Sequence, residues 1–141
     1  MIQVLTGIQS TAAALDAEHT RLDVISQNIA NAHTTRDVDG KPYQRRVVVV
    51  ENELNQAMNG DASALPTMHV ARVERDQRGP LRVFDPSNPE ADKNGMVSLP
   101  NINIHEEMAD LITASRTFEA NLAVVKNARS MAMQTLAMGR H

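Results

Sequence analysis

The five histidines are the residues of this chain whose type best suits metal binding. Helical zinc sites place two histidines on one face, three to five residues apart. His19, His33, His69, His105 and His141 are all much further apart than that. The spacing therefore predicts no metal site.

The segment Asp37-Val38-Asp39-Gly40 has the beginning of a calcium-binding loop. If Gly40 is placed at the invariant glycine, Thr35 falls at the first ligand position and Arg46 falls where a bidentate glutamate is needed. A cation in that position excludes calcium, so the sequence predicts neither a metal nor a cofactor.

The acids Glu106, Glu107 and Asp110 could perform acid/base chemistry if they lay near a substrate. They precede a long apolar-periodic segment, where a helix dipole already favours negative charge. Ser115 and Ser130 have no histidine within one helical turn to act as a base. With no cysteine in the chain, the sequence predicts no catalytic residues and no enzyme. Met131, Met133 and Met138 are more typical of core or interface packing than of a soft-metal site.

Asn28 and Asn31 are the polar residues that most need an explanation. They lie three residues apart in Ser26-Gln27-Asn28-Ile29-Ala30-Asn31-Ala32 and share one helix face with small alanines. Asparagine is a poor residue inside a helix, but its amide both donates and accepts hydrogen bonds. We expect the two side chains to fix the register of a closely packed neighbour.

Two segments with alternating three- and four-residue apolar spacing must position these residues. Such spacing is typical of coiled-coil helices. The first seam is Leu5, Ile8, Ala12, Leu15, His19, Leu22, Ser26 and Ile29, and the second is Met108, Leu111, Ser115, Phe118, Leu122, Val125, Arg129, Ala132 and Leu136. Asn103 with Glu106 predicts the start of the second helix, and Gly139 predicts its end. Asn31 with Thr34 and Thr35 predicts the end of the first.

The middle of the chain has strand character. Residues 45–51 are rich in valine, and residues 68–75 and 81–84 flank the turn 76–80, which predicts a β-hairpin. Residues 55–66 and 85–89 are predicted loops. The fold class is therefore mainly α with a small β part: an N-terminal helix in 1–35, a hairpin-containing segment in 36–102, and a C-terminal helix in 103–141 that pairs with the first as a coiled coil.

Composition limits the classes of partner. The 141 residues include only one tyrosine, two phenylalanines and no tryptophan, but eight methionines, so apolar surface is expected to be buried between helices and between subunits. The net charge of −3, without a basic cluster, argues against nucleic acid. Neither a cleavable signal nor an apolar run of membrane-spanning length is evident, which predicts no direct membrane insertion.

Five motifs occur in order along the chain: the stretch from Leu22 to Ala32 with Thr34-Thr35-Arg36, Pro42-Tyr43 with Arg45-Arg46, Val83-Phe84-Asp85-Pro86, Pro100-Asn101-Ile102-Asn103, and Ala114 to Asn121. These motifs resemble those of the flagellar rod, hook and hook-associated proteins, and of the proximal rod proteins among them in particular. The motifs occur in the family's order along nearly the whole chain.

This resemblance implies a subunit of the bacterial flagellar basal body. It further implies export through the flagellar type III apparatus without cleavage of a signal peptide, a place in the rod within the periplasmic space, other rod subunits as partners, and transmission of torque for motility. The residues expected at the assembly interface are Leu15, Leu22, Asn28, Ile29, Asn31, Leu111, Phe118, Asn121, Leu122, Val125 and Leu136.

A second interpretation is a coiled-coil adaptor that binds one partner helix in a groove. Such an adaptor would form a closed complex, whereas a rod subunit would form a polymer.

Overall fold

The computed structural model describes residues 2–52 and 68–139, with side chains described for residues 7–51 and 70–139. Its elements are α1 (Ile2–Ala30), β1 (Arg46–Asn52), β2 (Met68–Arg75), β3 (Leu81–Phe84), β4 (Met96–Leu99) and α2 (Ile104–Met138). The prediction of a mainly α fold with a small β part is confirmed. The loop predicted at residues 55–66, the whole of His141 and the side chains of Leu5 and His69 lie outside the described residues.

Helix α1 contains 29 residues and no proline, which gives it a length of roughly 43 Å. Its end is stabilised by Asn31, whose Nδ2 donates to the Gln27 carbonyl at 2.9 Å while Oδ1 accepts from the Thr34 hydroxyl at 3.2 Å. The predicted stop at Asn31 is thus confirmed, and the asparagine achieves it through its side chain.

Helix α2 has 35 residues and begins where the sequence predicts. The N-cap is Asn103, whose Oδ1 accepts from the backbone N–H of His105 at 3.1 Å. Glu106 and Glu107 lie in the first turn, near the positive end of the helix dipole. The predicted end is confirmed as well, because the N–H of Gly139 donates to the Thr135 carbonyl at 3.1 Å.

The two helices run antiparallel and in contact. Asn28 near the end of α1 reaches Glu107 near the start of α2. At the other end of the pair, Gly7 and Thr11 face Val124 and Ala128 across a gap of about 240 Å³. The pairing of the terminal helices is therefore present, whereas a coiled-coil crossing geometry stays a prediction.

The most deeply buried stripe of α1 differs from the predicted seam. Ala17, Val24 and Ile25 are 4–6% exposed, whereas His19 and Ser26 of the predicted seam are exposed. The centre of the seam was placed wrongly because α1 also packs against β1 and β2. The residues between two partners are buried most deeply, and a heptad analysis assumes only one.

Strand β1 pairs antiparallel with β2, from Arg46 opposite Arg75 to Asn52 opposite Met68, with an irregularity between Val49 and Val50. Strand β3 pairs antiparallel with β4. The predicted hairpin between residues 68–75 and 81–84 is therefore wrong. Strand β2 pairs instead with the valine run of β1, over seven positions. Strand β3 has only four residues and could have paired with β2 over a shorter length.

No other helix or strand in the described ranges packs closely against the β3–β4 sheet. A lone two-stranded sheet is marginally stable in water. Its connecting loop is held by Asp92, whose Oδ1 accepts from the N–H groups of Asn94 and Met96 at 2.8 and 3.0 Å. Within the residues described, neither helix combines the length and apolar character needed to cross a bilayer.

Gly95 should be irreplaceable in this loop. Its φ is +73°, and an added Cβ would lie 3.0 Å from Phe84 Cε2 and 3.2 Å from Pro86 Cβ. Gly95→Ala should reduce hydrogen-exchange protection of the Asp85 and Asp92 amides by roughly tenfold or more, since left-handed backbone costs about 1–2 kcal/mol before any clash.

Gly40→Ala is the matched control, because Gly40 has a φ of +70° but no atom within 4 Å of an added Cβ. Equal loss of protection around the two substituted glycines would show that backbone strain alone, without contact with Phe84, determines the effect.

Candidate assembly interface

The amide of Asn28 is buried where α1, β1 and α2 meet, with 1% of the residue exposed. Oδ1 accepts from the Tyr43 hydroxyl at 3.1 Å and from the Arg46 N–H at 2.9 Å. Nδ2 donates to the Arg46 carbonyl at 2.9 Å and to Glu107 Oε2 at 3.1 Å. Both donors and both acceptor positions of the amide are used.

Glu107 is 1% exposed and lies in the first turn of α2. Its Oε1 accepts from Arg45 Nε at 2.6 Å, so the buried carboxylate is paired with a guanidinium and an amide. Arg45 also lies 3.6 Å from Asp76, which in turn pairs with Arg78 at 2.7 Å. The hydrogen bond from the Arg78 side chain is the main reason that the pKa of Asp76 falls to about 2.

We refer to Asn28, Tyr43, Arg45, Arg46 and Glu107 as the Asn28 cluster. Inside the subunit, Asn28 holds β1 and α2 in place, whereas its role in the register between subunits stays a prediction. The sequence did not show that its amide would be fully occupied there. Asn28 therefore has no hydrogen-bonding capacity left for a second subunit.

Asn31 is half-buried and its side chain caps α1. Other residues predicted for the interface lie half-buried along the helices, and a role for them between subunits stays a prediction: they are Leu15, Leu22, Ile29, Leu111, Phe118, Asn121, Leu122 and Val125. Leu136 is different, being 57% exposed.

The sequence analysis missed the exposed apolar face of α2. Ile112, Val124 and Met131 are 56, 53 and 67% exposed, and they project from one broad side of the helix together with Ala120 and Ala123. The signal was present, because residues seven positions apart, such as Val124 and Met131, lie on neighbouring parts of a helix surface. It was overlooked because the analysis followed a single heptad seam.

A mixed-charge cleft of about 340 Å³ is lined in part by Lys41, Arg45, Asp76 and Arg78. Three of these charges already pair with one another, so the cleft offers little to a charged ligand. Across the described ranges, no three His, Asp or Glu side chains group closely enough to hold a metal ion.

Two family models match this chain. The model described as "Flagella basal body rod protein" matches residues 8–36, which cover most of α1 and the start of the following loop. The model described as "Flagellar basal body rod FlgEFG protein C-terminal" matches residues 93–138, which include β4 and α2. The paired terminal helices are thus the parts that define the class, namely the flagellar basal-body rod proteins.

Curated relatives specify the family further. The chain is 36% identical to the "Flagellar basal-body rod protein FlgC" of Borreliella burgdorferi, covering 96% of this chain and 97% of the relative. The proteins of the same name from Salmonella typhimurium and Bacillus subtilis are 37% and 34% identical, covering 91% and 95% of this chain and 92% and 97% of the relatives. The chain belongs to the FlgC family of flagellar basal-body rod proteins.

Membership confirms the resemblance drawn from the sequence motifs. The protein is a structural subunit of the flagellar basal-body rod, and membership implies assembly with other rod components.

Asn28→Asp should destabilise the subunit by about 3 kcal/mol at neutral pH, because it places a second carboxylate beside the buried Glu107. The free energy of unfolding, measured in denaturant, tests this.

Asn31→Asp is the matched control and should cost less than about 1 kcal/mol, since Asn31 lies at the helix end and away from Glu107. Equal losses in the two variants would contradict the placement of Asn28 against the Glu107 carboxylate.

Tyr43 gives a direct readout of the cluster. It is the one tyrosine in a chain without tryptophan, and it is 5% exposed. Burial raises the pKa of its phenol above the ordinary value, an effect opposed by Arg46 and reinforced by Asp37 and Glu107. An absorbance titration should therefore show an inflection above pH 10 in the folded protein and near 10 in denaturant.

The raised pKa also predicts the sign of the pH dependence. The folded state favours the protonated phenol, so this contribution to stability is complete below about pH 10 and is lost as pH rises through the folded pKa. An identical inflection with and without denaturant would contradict burial of Tyr43 in solution.

Proposed function

We propose that the protein builds the proximal part of the rod, and that its paired terminal helices pack against neighbouring subunits in a helical tube that transmits torque. In this proposal the subunit is exported through the flagellar type III apparatus without cleavage of a signal peptide and is assembled in the periplasmic space. No chemical step is involved.

The observation that carries the proposal is the exposed apolar surface of α2. Beyond Ile112, Val124 and Met131, the last turns of the helix expose Met133, Leu136 and Met138 at 62, 57 and 72%. Monomeric proteins rarely leave such a surface in water, and large exposed apolar patches mark interaction sites. Burial contributes roughly 25 cal/mol for each Å² of apolar area, which makes this face a strong source of association energy.

The geometry of the pair suits an open assembly. The inner face of α2 is occupied by α1, which leaves the outer face for a neighbour. In this proposal the neighbour presents a different surface in return. Contacts between unlike surfaces propagate into rings or helical filaments, whereas a closed dimer needs a self-complementary patch. This favours a polymer over the adaptor interpretation.

Stiffness within the subunit supports the transmission of torque. The Asn28 cluster fixes α1 against both β1 and α2 through hydrogen bonds. A load applied to one helix is then passed to the other through directional contacts, and on to the neighbouring subunit through apolar packing.

Ile112→Glu should abolish assembly without unfolding the subunit, because the side chain is 56% exposed in the isolated chain. In cells that carry only this variant, a charge would be buried in the interface. We therefore expect the number of intact rods in electron micrographs to fall by roughly tenfold or more, and swimming to fall by a similar factor.

Val38→Glu is the matched control. Val38 is 100% exposed on the loop between α1 and β1, so a change of the same kind should leave swimming unaltered. Normal rods in the Ile112 variant would refute the proposed interface, and a discrete complex with a single partner in place of a rod would favour the adaptor.

A further inference from the structure

Asn94 and Gly95 form an Asn-Gly pair in the loop between β3 and β4. Asn94 is exposed, and within the described ranges its backbone N–H is hydrogen-bonded but its side chain is not. Glycine carries no Cβ, so nothing on Gly95 hinders the approach of its nitrogen to the side-chain amide carbon of Asn94. The pair is therefore open to attack by the backbone on the side chain.

The folded turn directs the Gly95 nitrogen elsewhere. Its N–H donates to the Asp92 carbonyl at 2.9 Å, which closes a four-residue turn. Lys93 and Asn94 both have negative φ, as do all other non-glycine residues of the described ranges, and a hydrogen-bonded turn with this geometry fits type I. The nitrogen thus faces a carbonyl oxygen, and attack on Asn94 requires the turn to open.

The bonds that oppose this opening all lie in the loop itself. The Asp92 carboxylate accepts from the N–H groups of Asn94 and Met96, and the Asp85 N–H donates to the Gly95 carbonyl at 2.9 Å. An isolated two-stranded sheet is marginally stable in water, and such segments open without unfolding of the whole protein. The loop therefore opens far more often than the helix pair.

We propose that Asn94 is a site of spontaneous deamidation, whose rate is determined by local opening of the β3–β4 loop. In the open loop, the Gly95 nitrogen bonds to Cγ of Asn94, the Cγ–Nδ2 bond breaks, and ammonia leaves with the proton of the Gly95 amide. Water then opens the resulting cyclic imide. Cleavage of the new bond to Cγ gives aspartate, whereas cleavage of the original peptide bond gives isoaspartate, in which the chain continues through the side chain.

The two products differ in their effect on the loop. Aspartate leaves the backbone unchanged and adds one negative charge beside Asp92. Isoaspartate adds one carbon to the backbone before Gly95, so the Gly95 N–H and carbonyl can no longer bond to Asp92 and Asp85 together. The neighbouring pair of Phe84 with Met96 is then lost. A subunit that ages before assembly loses the β3–β4 sheet, while the Asn28 cluster still fixes its helices.

Peptide mapping of the purified full-length chain by mass spectrometry tests the site. Trypsin releases residues 94–116 as one peptide, which also contains Asn101 and Asn103, each followed by isoleucine. The β-branched isoleucines hinder the same attack, so these two asparagines are internal references. During incubation at mildly alkaline pH, we expect Asn94 to be converted roughly tenfold faster than either reference, or more. Conversion of Asn94 no faster than that of the references, in the folded protein and in denaturant, overturns the site.

Incubation in denaturant tests the role of the folded turn. We expect conversion of Asn94 to be roughly tenfold faster there than in the folded protein, or more, because every loop is then open. The ratio of the two rates should match the hydrogen-exchange protection of the Gly95 N–H within roughly threefold, since both report the same opening. Equal rates in the two conditions overturn control by the turn.

Asp92→Ala removes the carboxylate that holds the loop. It should raise the rate in the folded protein by roughly threefold or more and leave the rate in denaturant nearly unchanged. Asp39→Ala is the matched control, because it removes an exposed acid from the loop between α1 and β1, and it should alter neither rate. Equal acceleration by the two variants, with intact helices by circular dichroism, overturns the role of Asp92.

Asn94→Asp separates the two products. This variant keeps the normal backbone and should retain the hydrogen-exchange protection of the Asp85 amide, whereas an aged sample should lose that protection in proportion to its content of isoaspartate. Retained protection in a sample rich in isoaspartate overturns the loss of the sheet. These measurements use the isolated subunit, so their outcome is independent of the proposed packing in the rod.

Discussion

The buried carboxylate of Glu107 constrains the whole subunit. Removing such a group from water costs several kcal/mol unless a counter-charge and hydrogen-bond donors replace the solvent. Here the donors are Arg45 before β1 and Asn28 on α1. Because these groups come from three separate parts of the chain, α2 can take only a position that satisfies all of them. The relative placement of the helices and the first sheet therefore depends on one pair of oxygen atoms.

Polar interactions therefore fix the arrangement inside the subunit, whereas apolar side chains form its outer surface. Inside the subunit, directional bonds to Asn28 and Glu107 select one arrangement of the elements. Toward the outside, α2 presents Ile112, Val124 and Met131, whose burial is non-directional and strong. Methionine adapts its shape to different neighbours, which suits a subunit that assembles with other rod components. The subunit keeps its own geometry while its surroundings change.

Local signals predicted the helices and their ends well, because the caps at Asn103 and Gly139 involve residues only a few positions apart. The sequence also singled out Asn28 as needing a partner. It could not identify Glu107 as that partner, since the two are separated by 79 positions, and Glu107 had a sufficient local explanation in the helix dipole. Strand pairing failed for a related reason: β1 and β2 pair across the long stretch of residues 53–67, whereas the short turn at 76–80 was conspicuous.

The antiparallel pair has its hydrogen-bonded end at Asn28 and Glu107 and its gap at Gly7 and Val124. Ile2 and Met138, the outermost residues of the two helices, therefore lie at the loosely packed end. A force that pulled these ends apart would break the contacts between the helices one row at a time and would reach the Asn28 cluster last. A force along the helix axes would load all rows together. The helix pair of the subunit therefore withstands shear along the helix axes better than separation of its loosely packed ends.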